Sequence, residues 1–298
     1  MPYEHIEAKF VAWAKNEPNI RAALLVGSRA RNHKPADEWS DLDLILFTTT
    51  PDAYFVNSEW LSQMGEIWLC IENEALESSP EWLVLYRGGY KVDYLIAPAT
   101  APLSELVKIP IYEPMLRRGF RVLFDKDESE ADKAPLDFAT RCYGQPSPQA
   151  FLNIISRLML FSERAAKILT RGELWRAKFL CDIQLKEYLL ILLEWHACAV
   201  YGESLDTWRN GRFLHEWIHP HAAQALPATF AHYELDDMWR AVLATLELGC
   251  WLGRETAVLW QYDYPQQAEQ EITAWIQQLH QQATAAPPTP LLNPNDRG

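Results

Sequence analysis

No apolar run in this chain is long enough to cross a bilayer. The longest, YLLILL at Tyr188–Leu193, ends at Glu194, far short of the roughly 20 residues that a spanning helix needs. The opening MPYEHIEAKF is polar and acidic, without the basic start and apolar stretch of a secretory signal. Both absences predict a cytoplasmic protein with no membrane partner. Cysteine is sparse: Cys70, Cys142, Cys181, Cys198 and Cys250 are odd in number, scattered, and form no Cys-x-x-Cys pair. That excludes a disulfide framework and predicts reduced, mostly buried thiols. Positive charge is also scarce, with 27 Lys plus Arg against 40 Asp plus Glu and a net charge of −13. No basic track is available for a nucleic-acid backbone, so a small cationic partner suits the field better.

What is present fills two domains. The 298 residues are 49% hydrophobic and include 13 Trp, enough for sizeable cores. Residues 3–16 carry Ile6, Phe10, Trp13 and Ala14 on one helical face, with Pro18 beyond the end. Short strand-like runs then dominate to about Phe124, interrupted by an expected helix from Ala53 to Met64. Gly88-Gly89 reads as a hairpin turn. From Ser147 the pattern becomes helical. Ser147-Pro148 is an N-cap signal and Gly172 a stop. A second helix is expected over about 173–201, a third capped by Asp236 or Asp237 and running to about Tyr262, weakened by Gly249 and Gly253. A last one covers about 266–282. The expected fold class is therefore α/β plus all-α: a mixed-sheet domain over 1–140, a helical bundle over 141–283, and a Pro-rich tail over 284–298 without fixed structure. Function is expected in the cleft between the domains.

One stretch concentrates the chemistry. In LLVGSRARNHKPADEWSDLDLIL, residues 24–46, a strand ends in Gly27-Ser28, and a polar loop leads into a second strand carrying Asp41 and Asp43. Alternation along a strand puts both carboxylates on one face. Two buried anions repel, and a divalent cation relieves that, since Mg²⁺ takes one or two carboxylates together with substrate phosphates. Glycine lets backbone N–H groups approach a phosphate closely. A third carboxylate, Asp93, sits in the strand-like YKVDYLIAP with Lys91 on its face.

This order of elements resembles the nucleotidyltransferase superfamily. The runs GSRARNHKPADEWSDLDL, NSEWLSQMGE (57–66), KVDYLI (91–96), RVLFDKD (121–127) and YDYP (262–265) resemble one branch of it, the bacterial streptomycin (aminoglycoside 6-) adenylyltransferases, from near residue 3 to near residue 282. The resemblance implies transfer of AMP from ATP to an acceptor hydroxyl. It places the triphosphate over Gly27 and Ser28 and Mg²⁺, one or two ions, on Asp41 and Asp43. Asp93 then either completes a two-metal site or acts as general base. Arg29 is placed to reach the triphosphate or to fix the loop through a carboxylate, Lys91 to neutralise phosphate, and Arg212 to contact phosphate from the helical domain. Around Arg212 the chain departs from the family, with Trp208 and Gly211 where a glycine and an aromatic are expected. A streptomycin-like acceptor needs acids and aromatic faces, and Asp182, Glu187 and Trp175 are the candidates. The acceptor alternatives are another small hydroxylated cation or a protein side chain; an idle nucleotide-binding protein on the same fold is the non-enzyme reading. A monomer is expected. HEWIHPH, with His215, Glu216 and His219 in His-Glu-x-x-His spacing, is set aside as a zinc-protease motif, because Pro220 follows at once and no third ligand stands where either protease pattern needs it.

Overall fold

The computed structural model describes residues 2–31, 33–75, 79–129, 144–202 and 204–285. They fall into two compact units, Met1–Ala139 and Thr140–Gly298. None of the described helices is long and apolar enough to cross a membrane.

The first unit is built on six strands: β1 (Ile20–Val26), β2 (Leu42–Thr48), β3 (Ile67–Ala75), β4 (Ser79–Tyr86), β5 (Tyr90–Pro98) and β6 (Arg121–Asp125). Their spatial order is β3-β4-β5-β2-β1-β6. Only β2 and β5 run parallel; every other neighbouring pair is antiparallel. The β4–β5 hairpin closes with Tyr86 opposite Tyr90, and the turn places Gly88 and Gly89 at φ +94° and +82°, where a side chain is strained. Helix α1 (Pro2–Asn16) supplies Phe10 and Trp13 to the core on one sheet face, with Tyr94 and Trp60. Trp13 stacks on Trp60 at 4.6 Å. The indoles of Trp60 and Trp82 both donate to the Tyr54 carbonyl. The opposite face is covered by the short helices α3 (Leu103–Leu106) and α4 (Glu113–Leu116) over Leu24, Ile45, Phe47 and Leu95.

The helix expected over 53–64 is split into α2 (Pro51–Val56) and a 3₁₀ turn, Glu59–Gln63. Asn57 is extended there, and its side chain accepts the Glu59 N–H, which offers the backbone an alternative to helix.

The second unit is helical throughout. Helix α5 (Pro148–Thr170) is capped by Ser147, whose hydroxyl accepts the Ala150 N–H at 3.2 Å, and it stops before Gly172 at φ +71°. The next expected helix is three pieces: α6 (Leu174–Phe179), a π turn over Leu180–Gln184, and α7 (Leu185–Tyr201). The Lys186 ammonium donates to the Cys181 carbonyl and to the Thr245 hydroxyl, both at 3.0 Å. Short helices α8 (Leu214–Trp217) and α9 (Pro220–Ala225) precede α10 (Leu235–Trp260) and α11 (Gln266–Ala285). Neither Asp236 nor Asp237 caps α10: both lie inside its first turn, and Asp237 is bonded to Arg240 and to His232. Glycines 249 and 253 do not break α10, because they are where α5 packs closest. A Cβ at either would meet Leu158 at 2.1 Å or Ile155 at 2.4 Å.

Cys70, Cys181 and Cys250 are free thiols, but Cys198 is disulfide-bonded, against the expectation of five reduced cysteines. Cys142, and the tail beyond residue 285, lie outside the described residues.

Candidate active site

Strand register brings the sequence candidates of the first unit together. Asp43 on β2 stands opposite Val26 on β1, the residue before Gly27, and opposite Asp93 on β5. Gly27 has φ +69° and opens a 3₁₀ turn, Gly27–Arg29. A Cβ at this position would lie 2.0 Å from the Asp43 Oδ2. Glycine is required there twice, for its backbone and for the space the carboxylate occupies. Ser28 follows, buried.

Asp41 lies just before β2 and is presented by the loop that precedes it. In that loop Asp37 Oδ1 accepts from the Trp39 N–H and, at 2.7 Å, from the Ser40 hydroxyl. Arg29 completes the brace. Its Nη2 donates to the Ser40 carbonyl at 2.7 Å, and its Nε reaches the carbonyls of Ser40 and Asp41 at 3.1 Å. The guanidinium also sits 4.0 Å over the Tyr3 ring. Of the two roles open to Arg29, fixing the loop is the one this geometry performs, through carbonyls rather than a carboxylate.

Lys91 sits between two of the acids, with its ammonium 2.7 Å from Asp93 Oδ2 and 3.3 Å from Asp41 Oδ2. Burial opposes the lysine's charge, but the bonds and charges of Asp93 and Asp41 outweigh it and raise its pKa. Asp93 keeps Oδ1 buried with no hydrogen-bond partner. Its pKa is raised by burial, which outweighs the lysine beside it. Asp43 is raised to about 6, first by burial and then by the charge of Asp93. The cluster is short of positive charge.

The carboxylates of Asp41, Asp43 and Asp93, with an orphaned Asp93 oxygen among them, fit a hard divalent cation. Among the described residues no three His, Cys, Asp or Glu side chains stand ready to hold a metal unaided.

A fourth carboxylate was missed from sequence. Glu81 on β4 pairs with Leu95, so it shares the sheet face of Asp93, and it is buried at 8% exposure. Its Oε2 accepts from Asn73 Nδ2 at 2.6 Å. The signal was the alternation Glu81, Leu83, Leu85 read back through the hairpin from Asp93.

The remaining candidates lie in the second unit. Trp175 is 79% exposed, and Glu187 is exposed twelve positions further along α6–α7, about 18 Å at 1.5 Å per residue. The two cannot grip one small ring. Asp182 lies in the π turn; one oxygen is bonded by Lys178 and the other is buried without a partner. Arg212 is exposed, with its guanidinium 5.4 Å from the Phe213 ring. Nearby, Trp208 adopts φ 55°, ψ 151°, a region that suits glycine, the residue the family resemblance expects there. His215 and Glu216 are on α8 whereas His219 is extended before α9, so the His-Glu-x-x-His spacing shares no helix face.

Several known proteins are similar to this chain. An aminoglycoside 6-adenylyltransferase of Bacillus subtilis (strain 168) is 22% identical over 263 residues, covering 86% of this chain and 90% of its own length. One from Campylobacter jejuni is 24% identical, covering 85% and 87%. The crystal structure of an aminoglycoside 6-adenyltransferase from Bacillus subtilis aligns over 94% of this chain and 98% of its own, at 20% identity and a TM-score of 0.44. The family model for streptomycin adenylyltransferase matches residues 3–279, nearly the whole sequence. With that span matched and Gly27, Asp41, Asp43 and Asp93 gathered at one end of the sheet, the chain belongs to the streptomycin adenylyltransferase family and is a nucleotidyltransferase.

Proposed function

We propose that the protein transfers an adenylyl group from Mg-ATP to a hydroxyl of a cationic aminoglycoside of the streptomycin type. The observation that carries this is the register placing Asp43 between Gly27 and Asp93. The triphosphate lies over the Gly27-Ser28 turn, where no Cβ intervenes. Asp41 and Asp43 are the residues to hold Mg²⁺, which when bound supplies neutralisation of charge on the phosphoryl oxygens. The acceptor oxygen forms a bond to the α-phosphorus as the bond to the β-phosphate oxygen breaks, and that electron pair leaves with pyrophosphate. Asp93 takes the hydroxyl proton on Oδ1, the oxygen left free when Lys91 holds Oδ2. Lys91 orients Asp93 and offsets part of the cluster's charge. The curated relatives carry aminoglycoside 6-adenylyltransferase names, which supports the acceptor class.

The test is pyrophosphate release from Mg-ATP with a panel of aminoglycosides, wild type beside Asp41→Asn. Release with streptomycin is expected, falling by about a thousandfold in the variant at unchanged thermal midpoint. Saturable Mg-ATP binding with no release for any member of the panel would falsify the acceptor assignment.

A further inference from the structure

Across the sheet the polar residues follow a fixed order: Gly27 after β1, Asp43 on β2, Asp93 on β5, Glu81 on β4 and Asn73 on β3. In-line displacement puts the entering and leaving oxygens on opposite sides of the phosphorus. With pyrophosphate leaving over Gly27, the acceptor enters from the β4 side. There Glu81 and Asp93 are diagonal neighbours on one face, about 7–8 Å apart at their Cα atoms.

We infer that Glu81 is the carboxylate that holds a cationic group, an ammonium or guanidinium, of the acceptor while an adjacent hydroxyl on the same ring is adenylylated. Its environment carries the argument. Glu81 is buried, Asn73 fixes one of its oxygens, and no Lys or Arg among the described residues bonds to it; Lys91, whose charge reaches it, is bonded to Asp93 and Asp41 instead. A buried anion without a bonded cation is costly, and the amide of Asn73 orients the charge without cancelling it. Beside it on the same face, Leu69 and Ile71 on the edge strand are 52% and 47% exposed, opposite Leu85 and Leu83. An apolar floor next to an oriented carboxylate matches an aminocyclitol ring, which presents C–H groups on one face and a protonated nitrogen at its rim. This assignment rests on the adenylyl-transfer reading and names the residue that selects its acceptor.

The experiment compares the full-length wild type with Glu81→Gln and Glu81→Asp. It measures pyrophosphate release against streptomycin concentration, streptomycin binding by calorimetry, and binding of Mg²⁺ with a non-hydrolysable ATP analogue. For Glu81→Gln, KM and Kd for streptomycin should rise about ten- to a hundredfold, with kcat within a few fold and nucleotide affinity unchanged. Glu81→Asp, one methylene shorter, should recover part of the loss. A fall in kcat at unchanged KM, making Glu81 a base, overturns the inference, as does an unchanged Kd in the glutamine variant; both leave adenylyl transfer standing. Wild type that binds streptomycin without turnover defeats the transfer reading, while the variants' Kd still decides on Glu81. Wild type that neither binds nor turns over defeats both.

Discussion

Burial without a partner changes the proton affinity of single residues, and the second unit holds two such groups with opposite effects. Glu194 on α7 is 8% exposed and burial raises its pKa to about 7, whereas an unfolded glutamate titrates near 4.5. Folding therefore becomes costlier as pH rises across that interval, and the cost is complete above about pH 7. Glu194→Gln should leave the urea midpoint unchanged at pH 4 and raise it at pH 8, by an equivalent of about 2–3 kcal/mol. His196 is pushed down to about 4 by burial and then by His219 and His221. Its contribution has the other sign: stability is lost as pH falls from about 6.5 towards 4. Between about pH 4.5 and 6.5 the two contributions oppose each other and cancel, so Glu194→Gln should make the midpoint rise with pH more steeply than in wild type across that window, which midpoint-against-pH curves of both check. At the site, Gly27→Ala should cost about 1–3 kcal/mol for the left-handed backbone and displace Asp43 as well. Turnover should drop more than tenfold while the chain still folds.

At the scale of elements, the ends of α5 were legible from its capping residues, whereas the start of α10 was not, since Asp236 and Asp237 lie inside its first turn. Ser147-Pro148 and Gly172 bound α5 as their chemistry dictates, and α1 follows its apolar face. The split at Asn57 and the π turn at Leu180–Gln184 were not legible, because each depends on a competing bond: Asn57 from the Glu59 N–H, and Lys186 to the Cys181 carbonyl and to Thr245 on another helix. Glycines in α10 look like weaknesses on propensity alone, yet they mark close packing on α5. Gly249→Ala gains about 1 kcal/mol of helix propensity but inserts a methyl into Leu158, at a cost of about 1–3 kcal/mol. Net destabilisation is expected, and it should shrink when Leu158→Ala is added; denaturant melts of the single and double variants test that coupling. Trp208 sits in a glycine's conformation but is buried, with its ring 4.8 Å from Phe213, so packing opposes the backbone strain.

Across the whole molecule, a net charge of −13 creates a field that gathers cations. For a polycationic acceptor the KM should rise as salt goes from about 0.05 to 0.3 M, because screening shortens the range of that field. An unchanged KM would mean that local groups such as Glu81 do all of the recognition. The chain forms two compact units, one strand-rich and one of long helices, and each has a core of its own. What the sequence by itself determined is local: the Gly27-Ser28 strand end, the Asp41-x-Asp43 pair, the Gly88-Gly89 hairpin and the caps, all set by neighbours a few residues away. Only the tertiary structure decided that Asp43 faces both Gly27 and Asp93, that Lys91 stands between Asp41 and Asp93, and that Glu81 joins them. Those relations depend on strand order and register, which pair residues far apart in the chain and shift every side chain to the other face with a slip of one residue.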